Sequence, residues 1–171
     1  VVPENLCIEK PAEVSFEAAS YCHLCATALH AIQRGRVRIC ENVAVCGLGP
    51  VGHFAGQIAR AAGAHVVGLD LLPFRLEMAR KAGAADLALQ PVDAEETVEA
   101  VLAFTRGHGL DCAVLAFGGE GTPAVRMVTK MMKLTPDGHR MGRIVGVGGV
   151  KVELGLAAGL GNIDVISAAR T

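Results

Sequence analysis

The chain has 171 residues, a hydrophobic content of 51% and a formal net charge of −1. This length is enough for one domain with a buried core, but it is short for an enzyme built from two domains. Because the charges are balanced and spread along the chain, nothing in the sequence indicates binding to nucleic acid or to a membrane surface. No apolar run is long enough to span a membrane, and the high hydrophobic content indicates surfaces that face a partner domain or subunit.

The first 40 residues predict an extended or turn-like opening followed by a helical lead-in. Pro3 fixes φ and disfavours helix at the residue before it. Ser15 is a good N-cap for a helical stretch that Gly35 ends, with a break expected near residues 22–25. Because the sequence begins at Val1 and shows no signal-peptide pattern, we expect it to be a segment of a longer protein.

A short apolar strand then continues directly into a glycine-rich turn. Residues 42–52 read Asn-Val-Ala-Val-Cys-Gly-Leu-Gly-Pro-Val-Gly, which places G-x-G-x-x-G immediately after the strand. Because Gly47 has no side chain, the strand can turn tightly into the helix, and because Gly49 has none, a pyrophosphate can approach the main chain. Gly52 lets the helix lie close to the strand. The amides that begin the helix can bind an anionic pyrophosphate without a basic side chain.

The surroundings of this turn strengthen a motif that is weak alone in a chain with 21 glycines. Apolar residues recur at helical spacing after Gly52, and a second strand over 65–69 ends at Asp70. Asp70 lies near the spacing, about 20 residues on, at which a carboxylate binds an adenosine ribose. Because its charge would repel a 2′-phosphate, NAD is favoured over NADP. The alternative for Asp70 is a helix N-cap ahead of Pro73.

The remaining elements alternate between strands and helices. Asp93 with Glu96 forms a capping pair for one helix, and Thr122 followed by Pro123 predicts a cap and an N1 proline for another. Further strands are predicted over 87–89, 112–116, 143–147 and 163–168. This alternation predicts an α/β fold with a doubly wound, six-stranded parallel sheet of the Rossmann type, with ligand sites beyond the carboxyl ends of the strands.

The six cysteines invite a metal or disulfide interpretation that their spacing does not favour. Cys46 and Cys112 lie in apolar strand patterns, where cysteine usually behaves as a small buried hydrophobe. Cys22 and Cys25 form one C-x-x-C, whereas a structural zinc site needs four ligands, usually from a second pair. A redox pair remains an alternative. We expect reduced thiols in a cytoplasmic protein.

Several stretches together resemble one family. They are residues 2–5 and 14–19, 27–31, the turn over 45–52, Asp70 with residues 75–76, and residues 109–111 and 142–147. The chain resembles the cofactor-binding domain of the medium-chain dehydrogenase/reductase superfamily, which includes zinc-dependent alcohol, sorbitol and threonine dehydrogenases and zinc-free relatives. The resemblance implies an NAD-binding segment over 1–171, in which 1–40 is a lead-in from a missing catalytic domain and 41–171 is the Rossmann core.

The resemblance also implies roles for particular residues. The glycine turn would bind the pyrophosphate, Asp70 the adenosine ribose, and Arg75 would lie beside the adenosine. Residues after the fourth and fifth strands would border the adenosine and nicotinamide, although their apolar character equally suits a plain core. The cofactor-binding residues implied are Gly47, Leu48, Gly49, Pro50, Val51, Gly52, Asp70, Arg75, Ala116, Phe117, Gly118, Val145, Gly146 and Val147.

Hydride transfer between a nicotinamide cofactor and an alcohol or carbonyl substrate is the reaction that the resemblance implies for the full-length protein. In the zinc enzymes of this superfamily the metal polarises the alcohol oxygen. Most of its ligands would precede Val1, while His23, with Cys22 beside it, lies near one ligand position. We therefore expect zinc only in the full-length protein, no metal bound by this chain alone, and no catalytic residue that can be assigned here.

The last strand, over 163–168, predicts an oligomer. An edge strand that carries Ile163, Val165 and Ile166 and no lysine is poorly protected against pairing with another chain, and the resemblance implies a homodimer through it. Residues 136–142 form a longer segment than the short proline-glycine turn that relatives have before the fifth strand, so the resemblance implies a surface loop insertion there. His108 and His139 are expected in exposed loops, and His53 could face either cofactor or solvent. Three alternatives remain: a non-catalytic nucleotide-binding module of the same fold, a zinc-free reductase of the superfamily, and a methyltransferase, which the spaced glycine motif disfavours.

Overall fold

A computed structural model describes residues 2–155 and 161–168. After a short 3-10 helix at Glu4–Leu6, the helices are α1 (Phe16–Ser20), α2 (Cys22–Arg34), α3 (Pro50–Ala61), α4 (Pro73–Lys81), α5 (Ala94–Phe104) and α6 (Thr122–Met131). The strands are β1 (Asn42–Cys46), β2 (His65–Leu69), β3 (Leu87–Leu89), β4 (Cys112–Leu115), β5 (Gly119–Glu120), β6 (Met141–Gly146), β7 (Val150–Lys151) and β8 (Asn162–Ser167). None of the helices in the described ranges is long and apolar enough to cross a membrane.

Six strands form one parallel sheet in the order β3-β2-β1-β4-β6-β8. The predicted doubly wound sheet is therefore confirmed. The chain moves outward in one direction from β1 and then returns to start again at β4, so the strand order reverses between these two central strands. In such sheets a crevice opens outside the carboxyl ends of the strands at the reversal, and this is where ligands bind.

Both faces of the central strands are covered. On β1, Val43 and Val45 pack with residues of α2 and α3, while Ala44 and Cys46 point to the opposite cluster, which includes residues of α5 and α6. All four side chains are buried. This double coverage explains why β1 and β4 are nearly continuous apolar runs in the sequence.

Local helix signals are mostly confirmed. The Ser15 hydroxyl accepts a hydrogen bond from the Ala18 amide, and the lead-in helix is interrupted at Tyr21, one residue before the break expected near residues 22–25. The Asp93 carboxylate caps α5 by accepting from the amides of residues 95 and 96.

The prediction that Thr122 caps α6 is wrong. Gly121 is the N-cap, and Thr122 is the first helical residue. The Thr122 hydroxyl instead accepts a hydrogen bond from the Glu153 amide at 2.9 Å, while the Thr122 amide donates to the Glu120 carboxylate at 2.7 Å. The cause is the unpredicted two-stranded sheet of β5 and β7, which brings residues near 150 against the start of α6.

The loop predicted over residues 136–142 is shorter in the structure. Leu134 bridges Arg140, and the Thr135 amide donates to the His139 carbonyl at 2.8 Å, which closes a compact turn. Met141 and Gly142 already belong to β6, so the fifth strand of the main sheet begins earlier than residue 143. At the far edge of the sheet, β8 pairs only with β6 among the described strands.

Cys40 has a left-handed backbone conformation, with φ of 65°, just before β1. Such a conformation costs a residue with a Cβ about 1–2 kcal/mol, and glycine avoids this cost at an entropic penalty of about 0.5–1 kcal/mol. We therefore predict that Cys40→Gly raises the free energy of unfolding by about 0.5–1 kcal/mol, measured by urea denaturation. Cys40→Ala removes the thiol but keeps the strain, so it should show no such gain. Equal stability of the two variants would contradict this account.

Candidate functional site

The turn between β1 and α3 lies at the reversal of strand order, and two of its glycines are required by the fold. Gly47 has φ of +89°, and a Cβ there would lie 2.9 Å from the Ala116 carbonyl oxygen. A Cβ at Gly52 would lie only 1.9 Å from the Gly47 carbonyl oxygen. The Gly47 amide also donates to the Leu69 carbonyl at 2.8 Å, which ties the turn to the end of β2.

Gly49 is different because nothing in the fold explains its lack of a side chain. It has φ of −70°, which any residue adopts, and no atom of the described residues beyond its chain neighbours lies within 4 Å of where its Cβ would be. Within the described ranges, no hydrogen-bond partner is found for the amides of Gly49, Val51 and Gly52 at the start of α3. Open space in front of unpaired amides at a helix N-terminus is suited to an anionic group.

Asp70 connects this turn to the neighbouring strand end. One carboxylate oxygen accepts from the Leu48 amide at 2.6 Å, and the other accepts from the Leu72 amide at 2.9 Å. The Arg75 guanidinium lies 3.5 Å from the same carboxylate. Asp70 is 6% exposed but borders the cavity described next. The N-cap of α4 is Leu72, which makes no side-chain cap bond, so the alternative role of Asp70 as that cap is wrong.

A cavity of about 740 Å³ opens beside the turn, outside the carboxyl ends of β1 and β2. Five of the predicted cofactor-binding residues line it, namely Gly47, Asp70, Arg75, Phe117 and Gly118. Its other lining residues were not predicted to bind a cofactor; they are Cys46, Leu69, Leu71, Leu72, Pro91, Val92, Ala94, Glu120, Pro123, Ala124 and Met127. Four of them, Leu71, Leu72, Pro91 and Val92, lie just after β2 or β3, and this position is the signal by which they could have been found.

The other predicted residues lie outside the lining of this cavity. Leu48 is fully buried and packs at Gly68, so it offers the turn only its backbone. Val145 and Val147 are buried in the core, as their apolar character also allowed. Their contribution to cofactor binding stays a prediction, as it does for the remaining members of this set, which are Gly49, Pro50, Val51, Gly52, Ala116 and Gly146.

The histidines and cysteines form no metal centre in the part of the chain that the structure describes. His23 is exposed on α2 with Cys22 beside it, and His108 and His139 are exposed, as predicted. The Nδ1 atom of His53 lies 3.3 Å from the Gly49 carbonyl oxygen, and its Nε2 atom is buried with no hydrogen-bond partner among the described residues.

All six cysteines are free thiols. The two predicted to be buried are buried, and desolvation raises the pKa of both Cys46 and Cys112 to about 12. Thiolates are the reactive form of cysteine, so neither residue is suited to nucleophilic or redox chemistry at neutral pH.

Known proteins are similar to this chain in sequence. The family described as zinc-binding dehydrogenase matches residues 50–162. The L-threonine 3-dehydrogenase of Symbiobacterium thermophilum is 32% identical over 158 residues, which cover 92% of this chain and 42% of that protein. The D-xylulose reductase A of Aspergillus oryzae is 32% identical over 81% of this chain and 38% of that protein.

Solved structures agree with the sequence comparison. An alcohol dehydrogenase from Thermus sp. ATN1 superimposes with a TM-score of 0.73 at 30% identity, covering 92% of this chain and 44% of that one. The chain thus spans less than half the length of the relatives it matches. Together with the glycine turn and the strand order, these matches show that the chain belongs to the zinc-binding dehydrogenase family of the medium-chain dehydrogenase/reductase superfamily.

Proposed function

We propose that this chain binds NAD(H) for a dehydrogenase that interconverts an alcohol or polyol and its carbonyl product. The observation that carries the proposal is the open space at Gly49, in front of amides that have no partner among the described residues. No packing contact requires glycine there, whereas the approach of a pyrophosphate to the main chain does.

The residues present fit the cofactor at two further points. The Asp70 carboxylate holds the turn through two backbone amides, and its oxygens retain acceptor capacity for ribose hydroxyls. The cavity beyond it is bordered largely by apolar side chains, among them Leu71, Val92 and Phe117. A planar base of a nucleotide is a suitable occupant for such a space.

The division of labour in the reaction follows from these positions. When bound, the nicotinamide ring supplies the hydride acceptor or donor. The chain itself would hold the pyrophosphate on the N-terminus of α3 and orient the adenosine half through Asp70, which fixes where the rest of the dinucleotide can lie. Placement of this kind lowers the entropic barrier of a transfer between two bound reactants.

The substrate and any zinc would be held mainly by the rest of the full-length protein. The threonine, xylulose and alcohol enzymes named above support a small alcohol or carbonyl compound as substrate. His23 and Cys22, exposed on α2, are the residues of this chain that we propose to lie near a zinc site there. A zinc-free reductase would use the same cofactor half.

The setting and assembly of the protein are also proposals. Six free thiols support a location in the reducing cytoplasm. The position of β8 at the sheet edge, with Val165 46% exposed, supports a homodimer in which this strand pairs with its copy.

The proposed function leads to three predictions, and the first concerns Gly49. Gly49→Val should leave the chain folded, with a modestly lower thermal midpoint, because a Cβ there meets open space but Val is a poorer N-cap than Gly. It should weaken NADH binding by at least about tenfold, because the side chain would occupy the space of the pyrophosphate. Calorimetric titration of the chain with NADH measures this effect.

Gly155→Val is the matched control, since a Cβ at Gly155 also meets open space and Gly155 does not line the cavity. This variant should bind NADH like the parent chain. Undiminished NADH binding by a folded Gly49→Val chain would contradict the proposed function.

The second prediction concerns the choice between NADH and NADPH. The parent chain should bind NADH at least about tenfold more tightly than NADPH, because the Asp70 carboxylate repels a 2′-phosphate. Asp70→Asn should reduce this ratio, mainly by weakening NADH binding.

Asp86→Asn controls for stability in this experiment. Asp86 also accepts from a backbone amide, that of Val66 at 2.8 Å, and pairs with Arg60, but it lies outside the cavity lining. It should lower stability and leave the cofactor ratio unchanged. A parent chain that prefers NADPH would refute the assigned role of Asp70.

The third prediction concerns assembly. Light scattering should give the mass of a dimer for the parent chain and of a monomer for Val165→Lys, because a lysine on an edge strand opposes pairing with a second edge. Leu134→Lys places the same charge at another exposed apolar position, so it should remain dimeric. A parent chain that is monomeric at all concentrations would rule out this interface.

A further inference from the structure

The cavity beside the glycine turn has a second carboxylate in its wall. Asp70, Arg75 and Glu120 are the charged residues among those that line it. Asp70 and Arg75 lie at the end of β2 and the start of α4, within 3.5 Å of each other, and the proposed function assigns them to the adenosine ribose. Glu120 belongs to a separate wall, formed by β5 and the start of α6.

Glu120 is held in place by its neighbours. One carboxylate oxygen accepts from the Thr122 amide at 2.7 Å. The backbone on either side is fixed by parallel pairing with β7 and by a 2.8 Å hydrogen bond from the Gly121 amide to the Lys151 carbonyl. Hydrogen bonds from Thr122 keep the pKa of the Glu120 carboxyl below its usual value, so at neutral pH the group only accepts hydrogen bonds. Glu120 is exposed, and beyond these contacts with Thr122 and Gly121 its carboxylate retains capacity to accept a further hydrogen bond.

We propose that Glu120 selects the base of the bound dinucleotide by accepting a hydrogen bond from the exocyclic amino group of adenine. The inference rests on the proposed function, since it assumes that the cavity holds the adenosine half. The remaining side chains that border the cavity, such as Leu71, Phe117 and Met127, are apolar and can pack on the faces of a purine but cannot read its edge. Glu120 is therefore the group in this lining that can distinguish a donor from an acceptor on the base.

The chemistry of the base edge makes this selective. Adenine carries an amino donor at the six-position, where hypoxanthine carries an oxo oxygen. A carboxylate that accepts from the amino group would face the oxo oxygen with two acceptors and no hydrogen between them. Because Glu120 is exposed in the chain without ligand, this rejection requires that the bound base exclude water from the carboxylate, which is then left unpaired opposite the oxo oxygen.

The test compares NADH with the reduced nicotinamide hypoxanthine dinucleotide, each titrated into the chain by calorimetry. We expect the parent chain to bind NADH about tenfold more tightly, a ratio typical of one hydrogen bond to a charged group. Glu120→Gln retains an oxygen for the Thr122 amide and adds donors that can face an oxo group. This variant should therefore bring the two dissociation constants to within about threefold. Glu153→Gln, a nearby exposed acid outside the cavity lining, should leave the tenfold ratio intact.

The outcomes separate this inference from the function beneath it. If the parent chain binds neither dinucleotide, the proposed function fails and the role of Glu120 fails with it. If the parent chain binds both equally, or if Glu120→Gln keeps the full discrimination, base selection by Glu120 is refuted while NAD binding stands. Should Glu120→Gln fail to fold, as judged by circular dichroism, the comparison of the two dinucleotides on the parent chain still decides.

Discussion

The hydrogen bond from the Leu48 amide to the Asp70 carboxylate is the interaction on which the site depends. It joins the glycine turn after β1 to the acidic end of β2, so the surface for a pyrophosphate and the group for a ribose are held as one unit. Charge-assisted hydrogen bonds to backbone amides are short and strong, and this one, at 2.6 Å, is buried with Asp70. Asp70, which the sequence indicates as a ligand contact, thus also shapes the turn, and its removal would disturb both the turn and the ribose contact.

The fold was largely predictable because its signals are local. Apolar runs, N-caps such as Ser15 and Asp93, and the spacing of the glycine turn each depend on a few neighbouring residues, and a parallel α/β alternation leaves few topologies. The sequence also assigns a role to each glycine of the turn, but only the structure shows at which of them the fold itself requires the absence of a side chain. A side chain at Gly47 or Gly52 would clash with the backbone, whereas the open space at Gly49 can receive a ligand.

What sequence reasoning missed depends on distant contacts. No local pattern shows that β7 pairs with β5. Nor does one show that the Thr122 hydroxyl accepts a hydrogen bond from the Glu153 amide and does not cap its own helix, or that Glu120 lines the cavity. The same pairing explains both the wrong cap and the missed site residue. Long-range contacts of this kind override intrinsic preferences at the ends of helices, where those preferences are worth only about 1 kcal/mol.

The most direct test of the account is a crystal structure of the chain grown with NADH. We expect pyrophosphate oxygens within hydrogen-bond distance of the amides that begin α3, the adenosine ribose hydroxyls on Asp70, and the base in the cavity beside β2. A dinucleotide bound elsewhere, with the space in front of Gly49 filled only by water, would contradict it.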